Sequence, residues 1–507
     1  MIYDDIIVGA GTCGGVLASR LSEDTDRRVL LVEAGPDYVS FDETPQDLLY
    51  TQVSLVDHDW GYNAHALDGR DIAYPRGRVV GGSSAVNGTI ALRGDPADFA
   101  EWGARGVTGW SWPEVLATYR IVEDDPQGVA LHPELHGVGG PMPIVRATHL
   151  QPFQQAFESA CVAAGYARCA DMNDVAASGV GTFPRNKRNG ARMSTALTYL
   201  AAARGRANLT IRSGVHVDRV VVEGGRAVSI EVIVDGHRER IGGDRITLTA
   251  GAIASPAILL RSGIGPAAEL TALGIDVVAD RGGVGAVLLD HPSVGLPGVP
   301  AAGLEHDLDV VTEVGLRYRS TGSPDDNDMQ LCFATMFDIE QMRGFMPDPF
   351  PMFMIGAVLM CPRSHGSLRL ASADPMIAPT IDLNYLADPF DVARMIEAWR
   401  VGRDLCRSGE MAPFVESLLI DDATLADDVA LEAMIRSQIV TTYHPAGTAP
   451  MGRGDDAGSV VDSRGAVHGI AGLRVADASI MPTSVRSNTN LTCLMLAERI
   501  ASWMRSE

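Results

Sequence analysis

Three glycines, Gly9, Gly11 and Gly14, stand at the spacing GxGxxG, and an acid, Glu33, follows them. Glycines in such a turn let backbone amides at a helix N-terminus meet a pyrophosphate with no Cβ in the way. A carboxylate roughly twenty residues further on accepts hydrogen bonds from ribose hydroxyls, and its charge disfavours a 2′-phosphate. With Thr12 and Cys13 inside the turn and Ala34 directly after the acid, these residues describe a dinucleotide site. The pattern does not choose between a flavin and a nicotinamide dinucleotide, and the glycines alone would equally close a plain tight turn.

Other residues with reactive side chains are scattered. His444 stands in Tyr443-His444-Pro445 and, taken by itself, reads as a structural or capping histidine. His132, His136 and His149 fall in a Pro- and Gly-rich stretch without metal-ligand spacing, Glu134 beside them reads as solvated, and no metal is expected. Lys187, the sole lysine, lies in the polar run Asn186-Lys187-Arg188-Asn189, a solvated loop rather than the desolvated pocket a Schiff base needs. The cysteines, Cys13, Cys161, Cys169, Cys332, Cys361, Cys406 and Cys493, form no CxxC pair and read as reduced. Cys13 reads as a small packing residue with no partner cysteine nearby.

The elements that must position these groups follow from the hydrophobic pattern. Ile6-Ile7-Val8 is a short buried strand, Val16, Leu17 and Leu21 mark a helix after the glycines, and Val29-Leu30-Leu31-Val32 is a second strand ending at Glu33. That is the strand, turn, helix, strand unit of a dinucleotide fold. A β-rich region runs from Leu209 through Val220-Val221-Val222 and Ile230-Glu231-Val232 to Arg245–Gly251, and a helix is expected over 491–504. From about Val310 to Asp391 the texture changes, with methionines at 329, 336, 342, 346, 352, 354 and 360 and prolines at 347, 349 and 351. Gap-filling in a core is the plainer reading of those methionines, an adaptable pocket the sharper one. No repeat or low-complexity tract interrupts the 507 residues.

With 46% hydrophobic residues the chain can bury more than one core. The formal net charge of −23 opposes phosphate backbones and anionic lipid surfaces, so neither nucleic acid nor membrane is expected as a partner, and a small neutral substrate fits better. No run of uncharged apolar residues is long enough to span a bilayer, and Met1 leads through Asp4 and Asp5 into the first strand without a basic leader. A cytoplasmic location is the expectation.

Longer motifs carry a resemblance. The run Tyr74-Pro75-Arg76-Gly77-Arg78-Val79-Val80-Gly81-Gly82-Ser83-Ser84-Ala85-Val86-Asn87-Gly88 resembles the first signature of the glucose-methanol-choline (GMC) oxidoreductase family. Gly251-Ala252-Ile253-Ala254-Ser255-Pro256 through Gly265 resembles the second. Asp290-His291-Pro292, Tyr443-His444-Pro445-Ala446-Gly447-Thr448 and Val475-Ala476-Asp477-Ala478 ahead of Asn488-Thr489-Asn490 are similar to further family segments, in the family's order and from end to end. Among members it is most similar to compact bacterial alcohol oxidases and dehydrogenases.

The resemblance implies an α/β, two-domain fold, with a Rossmann-like FAD-binding domain of GMC type and a β-sheet substrate-binding domain. The expected division is 1–155, 205–295 and 440–507 for a discontinuous FAD-binding domain, and 156–204 and 296–439 for the substrate-binding domain. It places Val80, Gly81, Asn87, Gly88 and Thr89 along the flavin, the Val217 backbone at the adenine, Asp477 and Ala478 by the pyrophosphate and ribityl chain, and Asn488 and Thr489 beside the isoalloxazine. Val86 stands where some members carry the histidine that attaches FAD covalently, so dissociable FAD is expected. Val287 stands where many relatives have asparagine, and any polar contact from that position is lost or rerouted. His291 is implied to be structural.

Oxidising an alcohol requires a base for the hydroxyl proton while the carbon-bound hydride leaves for flavin N5. A neutral imidazole, with a reference pKa of about 6.5, suits that proton at neutral pH. Position in the C-terminal motif makes His444 the base, and Asn488 the group that places the substrate and donates to the developing alkoxide. The substrate is either a primary aryl-type alcohol or a sugar or glycoside hydroxyl, for which Asp326, Asn327 and Gln330 would be suitable polar groups although a solvated loop is the more economical account of them, and Tyr443 could wall the pocket or equally turn its hydroxyl to the core. The electron acceptor, O2 or another, stays open. A flavin-containing lyase of the hydroxynitrile type is the alternative on this fold, and an NAD-dependent dehydrogenase, from GxGxxG alone, ranks last.

Overall fold

The computed structural model describes residues 3–51, 57–304, 312–335 and 350–507. The first unit is the expected one: strand β1 spans Tyr3–Val8, helix α1 Thr12–Leu21 and strand β2 Val29–Val32. β2 is buried at all four positions because it runs parallel to β1 on one side and to Leu209–Arg212 on the other. A strand enclosed by neighbours and covered on both faces needs such a continuous apolar run. On its far side β1 pairs in parallel with the end of His237–Leu248, which Leu473–Val475 joins in parallel. The start of the same long strand turns back through Arg226–Val234 and His216–Glu223 as an antiparallel meander. The β-rich stretch expected from Leu209 onward therefore supplies both edges of a seven-stranded sheet, Leu209–Arg212 beside β2 and the meander beyond β1.

The C-terminal helix, Thr489–Arg505, packs its buried face, including Leu494 and Ala497, on α1. This contact brings Cys13 Sγ within 3.3 Å of the Cys493 carbonyl oxygen. The expectation that Cys13 has no cysteine nearby is therefore corrected; the neighbour comes from a helix 480 positions away in sequence, which local spacing cannot reveal. The contact with Cys493 together with burial holds the Cys13 thiol far above the ordinary thiol range, so it packs rather than reacts.

A second seven-stranded sheet runs Val415–Leu418, Pro292–Pro300, Phe353–Leu359, Met329–Ala334, Val314–Tyr318 and Gly179–Thr182, with Val440–Thr441 pairing at the start of Pro292–Pro300. One face, carrying Leu296, Ile355, Leu331 and Leu316, is fully buried. It faces helices Pro152–Ala163 and Pro389–Cys406, and Phe157 stacks on Phe333 with ring centroids 4.8 Å apart. The other face leaves Gly295, Pro297, Cys332, Met354 and Gly356 half-buried. Met329 and Met360 are buried in the core, whereas Met352 and Met354 are half-buried. Met336, Met342, Met346, Pro347 and Pro349 lie outside the described residues. No helix among the described residues is long and apolar enough to cross a membrane.

Candidate active site

A cavity of about 890 Å³ opens at the carboxyl ends of β1 and β2. Its wall contains Gly9, Gly11, Thr12, Cys13, Glu33 and Ala34 from the first unit, Asn87, Gly88 and Thr89 from the first signature, and Val217 from the meander. Asp477, Ala478, Asn488, Thr489 and His444 complete it from the C-terminal third. Three of the expected residues stand behind this wall. Gly14 abuts the first turn, where a Cβ would lie 1.9 Å from the Gly9 oxygen. Val80 and Gly81 are held by backbone hydrogen bonds to Pro36 and Ala10, and Gly82 and Ser83 take their place on the surface.

The wall fits a dinucleotide. Gly82, at φ +50°, leans on the first glycine turn so closely that a Cβ would come within 2.5 Å of the Gly11 Cα. Gly11 is the N-cap of α1 with no side-chain cap, which leaves helix N-terminal amides for an anion. The Glu33 carboxylate takes the Ala10 and Gly35 amides at 2.9 and 3.0 Å and is buried beside the cavity, which raises its affinity for a proton and favours further donors such as ribose hydroxyls. Buried Thr89 Oγ1 and Asn488 Oδ1 have no partner within the protein, as expected of groups reserved for a ligand.

Sequence reasoning missed an aromatic group beside Val217. Trp60 and Tyr62 stack with centroids 5.9 Å apart, Arg78 lies 5.2 Å over the Trp60 ring, and His216 meets that ring edge-on at 5.8 Å. All four line the cavity. No local signal could have found it: Gly61 between the two aromatic residues is left-handed at φ +68°, so the alternation of an extended strand does not apply.

His444 is placed by strand pairing. Pro292 pairs with Thr441 in the antiparallel ladder, so His291 and His444 arrive side by side just past its end. The carboxylate of Asp290 ties them down: Oδ1 accepts the backbone amides of both His291 and His444 at 2.8 Å, while Oδ2 accepts hydroxyls of Tyr74 (2.7 Å), Tyr385 (2.6 Å) and Thr441 (2.6 Å). His444 Nδ1 lies 3.0 Å from His291 Nδ1 and 3.0 Å from Thr442 Oγ1, whose own proton goes to the His291 carbonyl. On the other side of the ring Asn488 Nδ2 lies 3.1 Å from His444 Nε2. With the amide donating, Nε2 is an acceptor and the ring proton sits on Nδ1.

Burial first, then the neighbouring His291 and the Arg76 cation, keep the His444 imidazole neutral far below its usual titration range. Asn488 is the N-cap of Thr489–Arg505, yet its side chain makes no capping bond and is free to serve the cavity. Tyr443, in a left-handed backbone conformation at φ +65°, is 44% exposed as a residue and lines the cavity wall beside the base. Arg76 donates to the Tyr443 carbonyl and lies over the rings of Tyr74 and Tyr443.

Of the polar residues offered for a sugar, Asp326 is exposed and paired with Arg319, Asn327 donates to the Ala177 carbonyl, and Gln330 donates to Cys332 Sγ. None of them lines the cavity, nor does Lys187. His136 belongs to a separate buried group in which ligand atoms of Glu123, Asp125 and His136 lie within 4.8 Å of one another. Arg93 clasps Glu123, Arg146 bridges Asp125 and Asp171, and His136 Nε2 meets Asp171 at 2.7 Å. Burial alone would lower the His136 pKa, but Asp125, Asp171 and Glu123 push it up to about 10. Three carboxylates thus face three cations, and their oxygens are already committed to guanidinium and imidazolium donors.

Residues 3–293 and 362–497 match the N- and C-terminal family models described as GMC oxidoreductase. The chain is 37% identical to 5-(hydroxymethyl)furfural oxidase of Methylovorus sp., covering 99% of this chain and 98% of the relative. It is 34% identical to mouse mitochondrial choline dehydrogenase, over 98% and 89% of the two. The crystal structure of pyridoxine 4-oxidase from Mesorbium loti superposes with a TM-score of 0.91 at 31% identity, covering 100% of this chain and 99% of the other.

Proposed function

The chain belongs to the GMC oxidoreductase family and is an FAD-dependent enzyme of CH–OH donors; from that premise we propose that it oxidises a primary alcohol, of aryl type in preference to a sugar, with His444 as general base. FAD excludes the nicotinamide reading. The single observation that carries the assignment of the base is the neutral His444 Nε2, turned toward Asn488 at the cavity wall while Nδ1 is tied back into the protein.

FAD would be held, without a covalent bond, by the glycine turn, Glu33, Asn87, Gly88, Thr89, Val217, Asp477, Ala478 and Thr489, and supplies the hydride acceptor when bound. The chain's own residues do the rest. His444 Nε2 takes the hydroxyl proton, and the Asn488 amide turns its donor to the developing alkoxide. Tyr443 offers a flat apolar face beside the base, which suits a ring-bearing alcohol. Among the described residues lining the cavity, the carboxylates are Glu33 and Asp477, both already accepting donors from the protein, so a quaternary ammonium such as that of choline would meet no free anion. A small neutral alcohol as donor, O2 or another acceptor for the electrons, and a cytoplasmic setting complete the reading. No observation favours the lyase alternative.

The test is anaerobic bleaching of the bound flavin by a panel of aryl, sugar and aliphatic alcohols, in the wild type and in His444→Ala. Fast bleaching by aryl alcohols, slowed about a hundredfold or more in the variant with FAD still bound, is expected. Equal rates in the two proteins would remove His444 as the base, and preferential bleaching by sugars would move the substrate to that class. Recolouring in air would identify O2 as the acceptor.

A further inference from the structure

We propose that His291 is the second acceptor of the substrate proton, relaying it away from His444; this rests on the reading of His444 as the base. The two Nδ1 atoms stand 3.0 Å apart in rings that meet edge to face, 5.1 Å between centroids. Both rings are buried, His291 completely. The far nitrogen of His291, Nε2, lies 2.8 Å from Ser484 Oγ, and Ser484 is partly exposed. A continuous line of exchangeable protons therefore runs from the cavity wall, through two imidazoles, to a hydroxyl near solvent.

The tautomers required are those the neighbours impose. Asn488 donates to His444 Nε2, so His444 carries its proton on Nδ1 and can donate it to His291 Nδ1. His291, accepting there, carries its own proton on Nε2 and donates it to Ser484. When the alcohol O–H bond breaks, its proton bonds to His444 Nε2, the Nδ1–H bond of His444 breaks, and that proton bonds to His291 Nδ1. His444 ends neutral with the proton on Nε2, and His291 ends as the imidazolium. No oxidant or further reactant enters this step, because only protons move.

The charges around the pair favour that direction. Facing the two rings are Asp290, Arg76, Thr442, Ser484, Asn488 and the Met360 carbonyl. At His444 burial, His291 and the Arg76 cation all oppose a positive charge. At His291 burial opposes it too, but Asp290 and the Met360 carbonyl favour it, and its pKa falls only to about 4. A cation shared between the rings thus rests on His291, next to the Asp290 carboxylate. The His444 Nδ1–H faces Thr442 Oγ1 and His291 Nδ1 at the same 3.0 Å, so the hydroxyl holds the tautomer while the second ring stands within reach of the proton.

Two measurements on the FAD-bound protein test the relay. The first follows anaerobic flavin bleaching in mixtures of light and heavy water for the wild type and His291→Asn, whose amide can still accept the His444 Nδ1–H but cannot take up a proton. The variant should keep its FAD and a KM within about threefold, bleach about tenfold or more slowly, and show a linear dependence on deuterium fraction where the wild type is curved. The second is 15N NMR of histidine-labelled wild type with FAD bound near neutral pH, in which His444 should carry its ring proton on Nδ1 and His291 on Nε2, the tautomer pair that lets the first ring donate to the second. Unchanged bleaching and deuterium dependence in the variant, or a His291 ring that carries its proton on Nδ1 and so cannot accept from His444, would overturn the relay. If the variant fails to fold or loses FAD, the NMR result on the wild type decides alone. Slow bleaching in His444→Ala with normal bleaching in His291→Asn removes the relay and keeps the base; normal bleaching in both removes the base as well.

Discussion

At the residue scale the site depends on one imidazole kept neutral and one amide kept uncommitted. Asn488 holds a helix N-cap, where asparagine usually spends its side chain on a backbone amide, but here it reaches His444 Nε2 at 3.1 Å. Asn488→Asp would set a carboxylate in its place and favour the protonated imidazole. The His444 pKa should rise, so flavin bleaching in the variant is lost first at low pH and recovers as pH increases, whereas the wild type stays active well into the acid range. Stopped-flow bleaching from pH 5 to 9 checks this, and two superimposable profiles would show that Asn488 does not govern the base. His444 and Asn488 were legible in the sequence only through the motifs around them, since a lone histidine carries no such signal. His291 was legible as a residue but not as a partner, because its contact with His444 spans 153 positions and exists only once Pro292 has paired with Thr441.

At the element scale, turns and strand ends do the positioning. β1, α1, β2 and the C-terminal helix were readable from apolar runs and glycine spacing, since each is governed by local pattern. The pairing of the second sheet, the Trp60 and Tyr62 stack and the five-donor Asp290 were not, because non-local contacts decide them. The division expected from the sequence puts one boundary between 295 and 296, inside the strand Pro292–Pro300, and gives Val440–Thr441, which pairs with that strand, to the FAD-binding part. The contact between the glycine turns gives the sharpest prediction at this scale. Gly82→Ala places a Cβ 2.5 Å from the Gly11 Cα at a backbone angle of φ +50° that alanine adopts at a cost. The backbone of one turn must retreat, and the affinity of the apoprotein for FAD should weaken roughly tenfold or more, for a loss of about 1.4 kcal/mol or more. Fluorescence titration of the apoprotein with FAD checks it; an unchanged Kd would mean that the two turns are not jointly shaped for the dinucleotide.

At the scale of the whole molecule, two buried histidine groups set opposite limits on stability against pH. His291 falls to about 4 in the folded protein from an ordinary value near 6.5, so the unfolded chain binds more protons between these values and stability drops as pH falls from 6.5 toward 4. His136 behaves in reverse. Held at about 10 by Asp125, Asp171 and Glu123 against the opposing effect of burial, it binds a proton in the folded protein that the unfolded chain releases above about 6.5. Its contribution is complete below 6.5 and is lost as pH rises toward 10, when three carboxylates are left facing only Arg93 and Arg146. On a chain whose formal net charge is already −23, that extra buried negative charge has no nearby compensation. His136→Gln should therefore lower the Tm at neutral pH and flatten its decline between pH 7 and 10 relative to the wild type, while leaving the acid-side decline unchanged. Thermal melts across that range separate the outcomes: parallel alkaline slopes in the two proteins would show that His136 is not charged in the folded state and that the cluster is balanced in some other way.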